Sequence, residues 1–206
     1  MKIIKLLSVD FQKDFSAENG KHYKPRKSVE FIKETLIPYL RKNNIKVAEI
    51  ISDYRLPRPT DPDDSCRAGE WGYESEIPED IKLKPQWIKC MNSPIWTRDN
   101  VGNPAEKPGL PYQDPKKFTE WAHKVVGRPD CLDEVVLFGL TADCCVFCTS
   151  QELSWRGYNV KVLDEGVATY SASEDEKRII LHNPPFTNWA NAIKWRDLKE
   201  KLESVK

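Results

Sequence analysis

The sequence predicts a three-layer α/β/α fold around a mostly parallel sheet of about six strands. Three observations carry that expectation. Stretches with strand character alternate with stretches of helical periodicity, which is how a parallel sheet covered on both faces reads. The segment "EVVLFG" at 134–139 carries a continuous apolar run after Glu134, suited to a central strand buried on both sides. The 206 residues are enough for one domain, taken as 1–206, with a substantial core.

The elements follow in order. "KIIKLLSV" reads as a first strand, and "SVEFIKETLIPYLRKN" as a helix with Phe31, Leu36, Ile37 and Leu40 at helical spacing. "KVAEIIS" is a second strand and "QWIKC" a short third. "PKKFTEWAHKVVG" is a helix opened by Pro115 and closed by Gly127. After "EVVLFG", the stretch "CCVFCTSQELSWRG" reads as a helix ending at Gly157, and "YNVKVLD" as the next strand. "SEDEKRIILHN" is a further helix stopped by Pro184 and Pro185. "NAIKW" and "RDLKEKLESV" close the chain as an edge strand and a terminal helix. Residues 53–114, rich in Pro, Asp, Gly and Trp, break the rhythm. So long an irregular stretch inside a compact domain is usually functional.

Composition narrows the function classes. Basic and acidic side chains balance at 32 each, so no overall field draws the chain to nucleic acid or to an anionic membrane. The opening "MKIIKLLSVDFQKD" is too short an apolar run for a signal peptide, and Lys5 and Asp10 interrupt it. No run approaches the ~18 apolar residues of a membrane span. The expectation is a soluble cytoplasmic protein, assembled as a homo-oligomer (dimer or tetramer), with a small molecule as its partner.

Three of the six cysteines fall within five positions, in "GLTADCCVFCTS". In a reducing compartment they are expected as free thiols. Cys145-x-x-Cys148 offers two zinc ligands, but His22, His123 and His182 are scattered singly and no second CxxC is present. Redox use of that CxxC lacks the flanking pattern of a thioredoxin. A nucleophile is the remaining use, and it needs partners.

Ligands of open parallel sheets bind beyond the carboxyl ends of the strands. Three reactive residues are expected there: Asp10 after the first strand, Lys89 at the end of the third, and Cys145 at the start of the helix after "EVVLFG". Each alone has an ordinary explanation, as turn residue, solvated cation and packing thiol respectively. All three at one edge would make a nucleophile with its base and its charge partner. A thiol in the first turn of a helix also meets unpaired N–H groups and the positive end of the helix dipole.

The same residues carry a family resemblance. "VDFQKDF" looks like an Asp-x-Gln-x-Asp-Phe opening, "CRAGEWGYESEIPEDI" is similar to a Gly-Thr-x-Gly-x-Glu segment, and "IKCMNSPIWTRDN" resembles a lysine-bearing segment. "GLTADCCVFCTSQELSWRGYNVKVLDEGVAT" closely matches a Gly-x-x-Thr-Asp-x-Cys-Val segment with its helix and strand. On these motifs, spanning roughly 3–170, the chain resembles the isochorismatase-like cysteine hydrolases, among them nicotinamidases, N-carbamoylsarcosine amidohydrolases and ureidoacrylate or maleamate amidohydrolases.

The resemblance implies a Rossmann-like fold, a catalytic triad of Asp10, Lys89 and Cys145, and hydrolysis of a C–N amide bond through a thioester. The family motif places the nucleophile directly before Val, hence Cys145 rather than Cys144. It further implies a cis Leu140–Thr141 peptide and an oxyanion hole formed by the N–H groups of Thr141 and Cys145. Phe15, Trp71, Trp96 and Leu140 are the expected substrate-binding residues; loop anchoring is the plainer role for Trp71 and Trp96.

Two departures matter. Nicotinamidases carry an Asp-x-His-x-x-His metal site after the second strand, whereas this chain reads "SDYRLPRPTDPDD", with Asp53 in place and no histidine. The acidic group Asp61, Asp63 and Asp64 reads as a solvated loop, so no metal or other cofactor is expected. True isochorismatases lack the cysteine, so the vinyl-ether reaction is not expected either. Arg55, Arg67 and Arg98 can clamp a substrate carboxylate or simply face solvent. The alternative to an enzyme is a catalytically silent thiol sensor or scaffold on the same fold.

Overall fold

The structure is a computed structural model and describes residues 3–56, 58 and 64–204. β1 (Ile4–Val9) leads through the short helix α1 (Lys13–Ser16) to α2 (Lys27–Phe31), which continues through a π-helical turn (Ile32–Leu36) into α3 (Ile37–Lys42). The π turn falls just before Pro38, whose nitrogen has no hydrogen to give to the preceding turn. β2 (Val47–Ser52) and β3 (Trp87–Lys89) follow, then a two-stranded ribbon of β4 (Trp96–Thr97) and β5 (Tyr112–Gln113). α4 (Pro115–Trp121), β6 (Glu134–Leu140), α5 (Cys145–Trp155), β7 (Val160–Ala168), α6 (Glu174–His182), β8 (Asn191–Ile193) and α7 (Trp195–Glu203) complete the order.

Six strands form one sheet in the order β3-β2-β1-β6-β7-β8, and every pairing is parallel. Helices flank it on both faces, giving three α/β/α layers. β2 is buried along its whole length, and β6 along all but its first residue. This is why β6 reads as a continuous apolar run from Val135, and why β2 is apolar on both faces apart from Glu49 and Ser52. Among the described residues, no helix is long and apolar enough to cross a membrane.

The strand order reverses between β1 and β6. The chain steps outward from β1 through β2 to β3, returns to β6 on the other side of β1, and steps outward again. Side chains at the carboxyl ends of β1, β2, β3 and β6 therefore face one crevice, the usual ligand position in such sheets. β3 has only three residues, yet it is firmly held. The Trp87 ring lies edge-on to Phe118 and tilted against Trp121 of α4, with ring centroids 5.5 and 5.9 Å away. The Trp87 indole N–H donates to Pro94 O at 2.6 Å, and that of Trp121 to Pro85 O at 2.7 Å. These contacts fix the strand that carries Lys89.

Candidate active site

Asp10 immediately follows β1 with φ of 49°, in the left-handed region that Asp tolerates better than most residues. Its N–H donates to Ile50 O at 2.9 Å, which ties it to the neighbouring strand. Val9, just before it, pairs with Gly139 of β6. A Cβ on Gly139 would lie 2.0 Å from Val9 O, and the residue has φ of 123°, so only glycine lets β6 come this close. Ser52 and Lys89 are register partners at the ends of β2 and β3. Cys145 is the first residue of α5, so its N–H has no acceptor within the helix.

The side chains meet in one buried cluster. The Lys89 ammonium donates to Asp10 Oδ2 at 2.8 Å, to Ser52 Oγ at 2.7 Å and to the Tyr54 phenol oxygen at 2.6 Å. Cys145 Sγ lies 3.4 Å from the same nitrogen. Ser52 Oγ donates its proton to Asp10 Oδ1 at 2.8 Å, so both carboxylate oxygens are engaged. Sγ also lies 3.2 Å from the Tyr54 phenol oxygen and 3.6 Å from Asn92 Oδ1. Asp10, Ser52 and Lys89 have no measurable exposure.

Burial pushes the Cys145 thiol well above its usual range; Lys89 and the Tyr54 hydrogen bond oppose this, and the Asp10 charge adds to it. Burial also works against the Lys89 ammonium, but its neighbours, Asp10 foremost, outweigh it and hold the amine above its ordinary value. The cluster thus sets an ammonium beside a thiol whose proton is hard to remove. The helix end and the cation favour thiolate, yet at this depth desolvation decides.

A cavity of about 270 Å³ opens onto Sγ. Phe15, Thr141 and Cys145 line it. The other sequence candidates do not. Trp71 is 44% exposed beneath Lys13, whose Nζ sits 5.3 Å from the ring centroid. Trp96 belongs to β4, where its carbonyl accepts from Cys90 N at 3.0 Å. Leu140 is buried at the end of β6, and the Leu140–Thr141 peptide is cis. Asp61 and Asp63 lie outside the described residues; Asp64 pairs with Arg67.

Solvation proves the wrong reading for two of the three arginines. Arg55 and Arg98 are buried, at 6% and 2% exposure, because backbone carbonyls and a carboxylate satisfy them. Arg98 donates to Arg55 O at 2.6 Å. Arg67 is half-exposed and pairs with Asp64 and Glu70. None of the three lines this cavity, and each is engaged by neighbours within the chain.

Sequence reasoning missed Tyr54, Asn92, His22 and Tyr170, which also line the cavity. His22 stacks on Phe15 at 5.3 Å, and its Nδ1 lies 3.3 Å from the Tyr170 hydroxyl. The available signal was position: Tyr54 comes two residues after β2, at the same sheet edge as Asp10 and Lys89.

The sequence matches no protein-family model and no curated protein. Solved structures do match. An isochorismatase-like hydrolase from Alkaliphilus metalliredigens is 17% identical and aligns over 100% of this chain and 99% of its own, with a TM-score of 0.61. N-carbamoylsarcosine amidase from Thermoplasma acidophilum is 20% identical over 94% of this chain and 96% of its own, with a TM-score of 0.54. Pyrazinamidase of Pyrococcus horikoshii, solved in complex with zinc, is 14% identical over 93% of this chain and 99% of its own, at 0.60. The fold is that of the isochorismatase-like hydrolases.

A metal bound after β2, as the resemblance suggests for nicotinamidases, does not fit the residues of this chain. Arg55 and Arg58 stand where the Asp-x-His-x-x-His pattern has its histidines. Arg55 grips both oxygens of Asp53, Nε to Oδ1 at 2.8 Å and NH2 to Oδ2 at 2.6 Å, while Gly102 N donates to Oδ2 at 2.8 Å. Arg55 also donates to the carbonyls of Asn100, Asn103 and Glu106 at 2.9–3.1 Å. A guanidinium thus neutralises the carboxylate and occupies both of its oxygens, which opposes a metal cation there.

Proposed function

We propose that this protein is a cysteine-dependent hydrolase that cleaves the C–N amide bond of a small amide, carbamoyl or ureido compound through a thioester. The observation that carries this reading is the buried Asp10–Lys89–Cys145 cluster with its sulfur facing a cavity of about 270 Å³. That volume suits a small molecule rather than a polymer.

Asp10 takes the thiol proton as Sγ attacks the substrate carbonyl, and Lys89 balances the negative charge that spreads over the cluster. The N–H groups of Thr141 and Cys145 are the donors for the oxyanion, each removal of such a donor costing ~3 kcal/mol in comparable sites. Asp10 then returns the proton to the leaving nitrogen, and an amine or ammonia departs as the C–N bond breaks. Water attacks the thioester, with Asp10 again accepting the proton. The acid leaves, and the thiol is restored. Phe15 forms one wall of the pocket. No step needs a cofactor.

We place this activity in a single domain over 1–206, in a cytoplasmic homo-oligomer. Light scattering of the purified protein tests the assembly. For the activity, the experiment is an ammonia-release screen over small primary amides, carbamoyl compounds and ureides. Turnover that disappears in Cys145→Ala is the expected result. Silence across the panel, or full activity in the variant, refutes the reading.

A further inference from the structure

We infer that Tyr54 is a fourth catalytic residue, whose phenol donates the direct hydrogen bond to Cys145 Sγ. The inference rests on the cysteine-hydrolase reading for its functional meaning, but the bond itself follows from counting protons.

The phenol oxygen lies 2.6 Å from Lys89 Nζ and 3.2 Å from Cys145 Sγ, with the Ser52 hydroxyl also in reach. An ammonium only donates, so the Tyr54 oxygen accepts from Lys89 and its own single proton is left for sulfur. The three Lys89 protons have three close oxygen acceptors in Asp10, Ser52 and Tyr54, all within 2.8 Å. Sulfur at 3.4 Å is the most distant of its partners. Lys89 therefore reaches the sulfur mainly through its charge, while the phenol reaches it through a bond. Ser52 gives its proton to Asp10 and already accepts from Lys89, so of the two acceptors in reach of the phenol the sulfur is the less satisfied.

The ring is fixed for this task. It is 4% exposed, with the Arg58 guanidinium carbon 4.3 Å from its centroid and Lys89 Nζ 4.8 Å from it. Tyr54 N donates to Ser65 O at 3.2 Å, which pins its backbone. Burial, reinforced by Cys145 and Asp10, holds the phenol well above its usual range, so it stays protonated. The titratable groups facing the sulfur are Lys89, Asp10, Tyr54 and, more remotely, Cys66. When Asp10 takes the thiol proton, Tyr54 keeps its own and donates to the thiolate. The acceptor gains a full charge, and the bond strengthens as the nucleophile forms.

The test is the pH profile of Cys145 alkylation by iodoacetamide, which requires no substrate. Tyr54→Phe keeps the ring and removes the donor. We expect its alkylation midpoint at higher pH, the rate at pH 7 roughly tenfold or more lower, and a comparable loss of kcat, with an unfolding midpoint near that of the parent. A Tyr54→Phe profile superimposable on the parent overturns the inference. Should that variant fail to fold, 3-fluorotyrosine installed at position 54 keeps the hydroxyl and makes it more acidic. The midpoint must then move to lower pH, and an unmoved midpoint overturns the inference equally. If no amide is hydrolysed but both shifts occur, the hydrolase reading fails and the hydrogen bond stands. If amides are hydrolysed and neither shift occurs, only this inference fails.

Discussion

Lys89 and Asp10 form an ion pair of 2.8 Å with both side chains sealed from solvent. Such a pair costs several kcal/mol in desolvation per ion, and removing one partner strands the other charge. We therefore expect Lys89→Met to lower stability by about 3–5 kcal/mol in urea denaturation. The double variant Lys89→Met with Asp10→Asn should recover much of that loss. A double variant no more stable than Lys89→Met alone would contradict the geometry.

Asp10 and Lys89 should have opposite effects on the thiol. Asp10 raises the proton affinity of Cys145, and Lys89 lowers it. Asp10→Asn should therefore move the alkylation midpoint of Cys145 to lower pH and speed labelling at neutral pH, while turnover is abolished for want of a base. Lys89→Met should move the midpoint to higher pH and slow labelling. Peptide mapping of the alkylated protein measures both, and shifts of the same sign would refute the assignment of charges.

Arg55 occupies both oxygens of Asp53, so we expect exhaustive dialysis against a chelator to leave turnover and the unfolding midpoint unchanged. Arg55→Met should behave differently. It frees the Asp53 carboxylate and three backbone carbonyls of residues 100–106 at once. A loss of at least ~3 kcal/mol in stability is expected, because a buried carboxylate is left without its cation. Calorimetry with and without chelator separates the two outcomes.

Gly139→Ala places a methyl 2.0 Å from the carbonyl of Val9, the residue before the proposed base. Backbone must move to admit it. A stability loss of about 1–3 kcal/mol is expected for such overpacking, and kcat should fall by more than the stability loss accounts for. Unchanged kcat in the folded variant would show that Asp10 tolerates displacement.

Much of this was legible in the sequence, and the unreadable part has physical causes. The sheet was readable because its central strands are buried on both faces, so 135–140 is apolar without interruption and 47–51 only interrupted by Glu49. Positions at strand ends followed from topology, which is why Asp10, Lys89 and Cys145 stood out. The cavity walls were not readable. Tyr54, Asn92, His22 and Tyr170 lie outside regular elements, where side-chain direction obeys no period. Arg55 and Arg98 were misjudged because arginine is ordinarily solvated, and their partners are loop carbonyls that no local pattern announces.

The central claim is that Cys145 forms a covalent acyl intermediate. Acid-quenching a slowly turned-over amide and mapping the peptides by mass measures it most directly. The acyl mass should appear on the peptide carrying Cys145, disappear on treatment with hydroxylamine, and be absent from Cys145→Ala, which should be inactive. An unmodified Cys145 under steady turnover, together with appreciable activity in Cys145→Ala, would contradict the account.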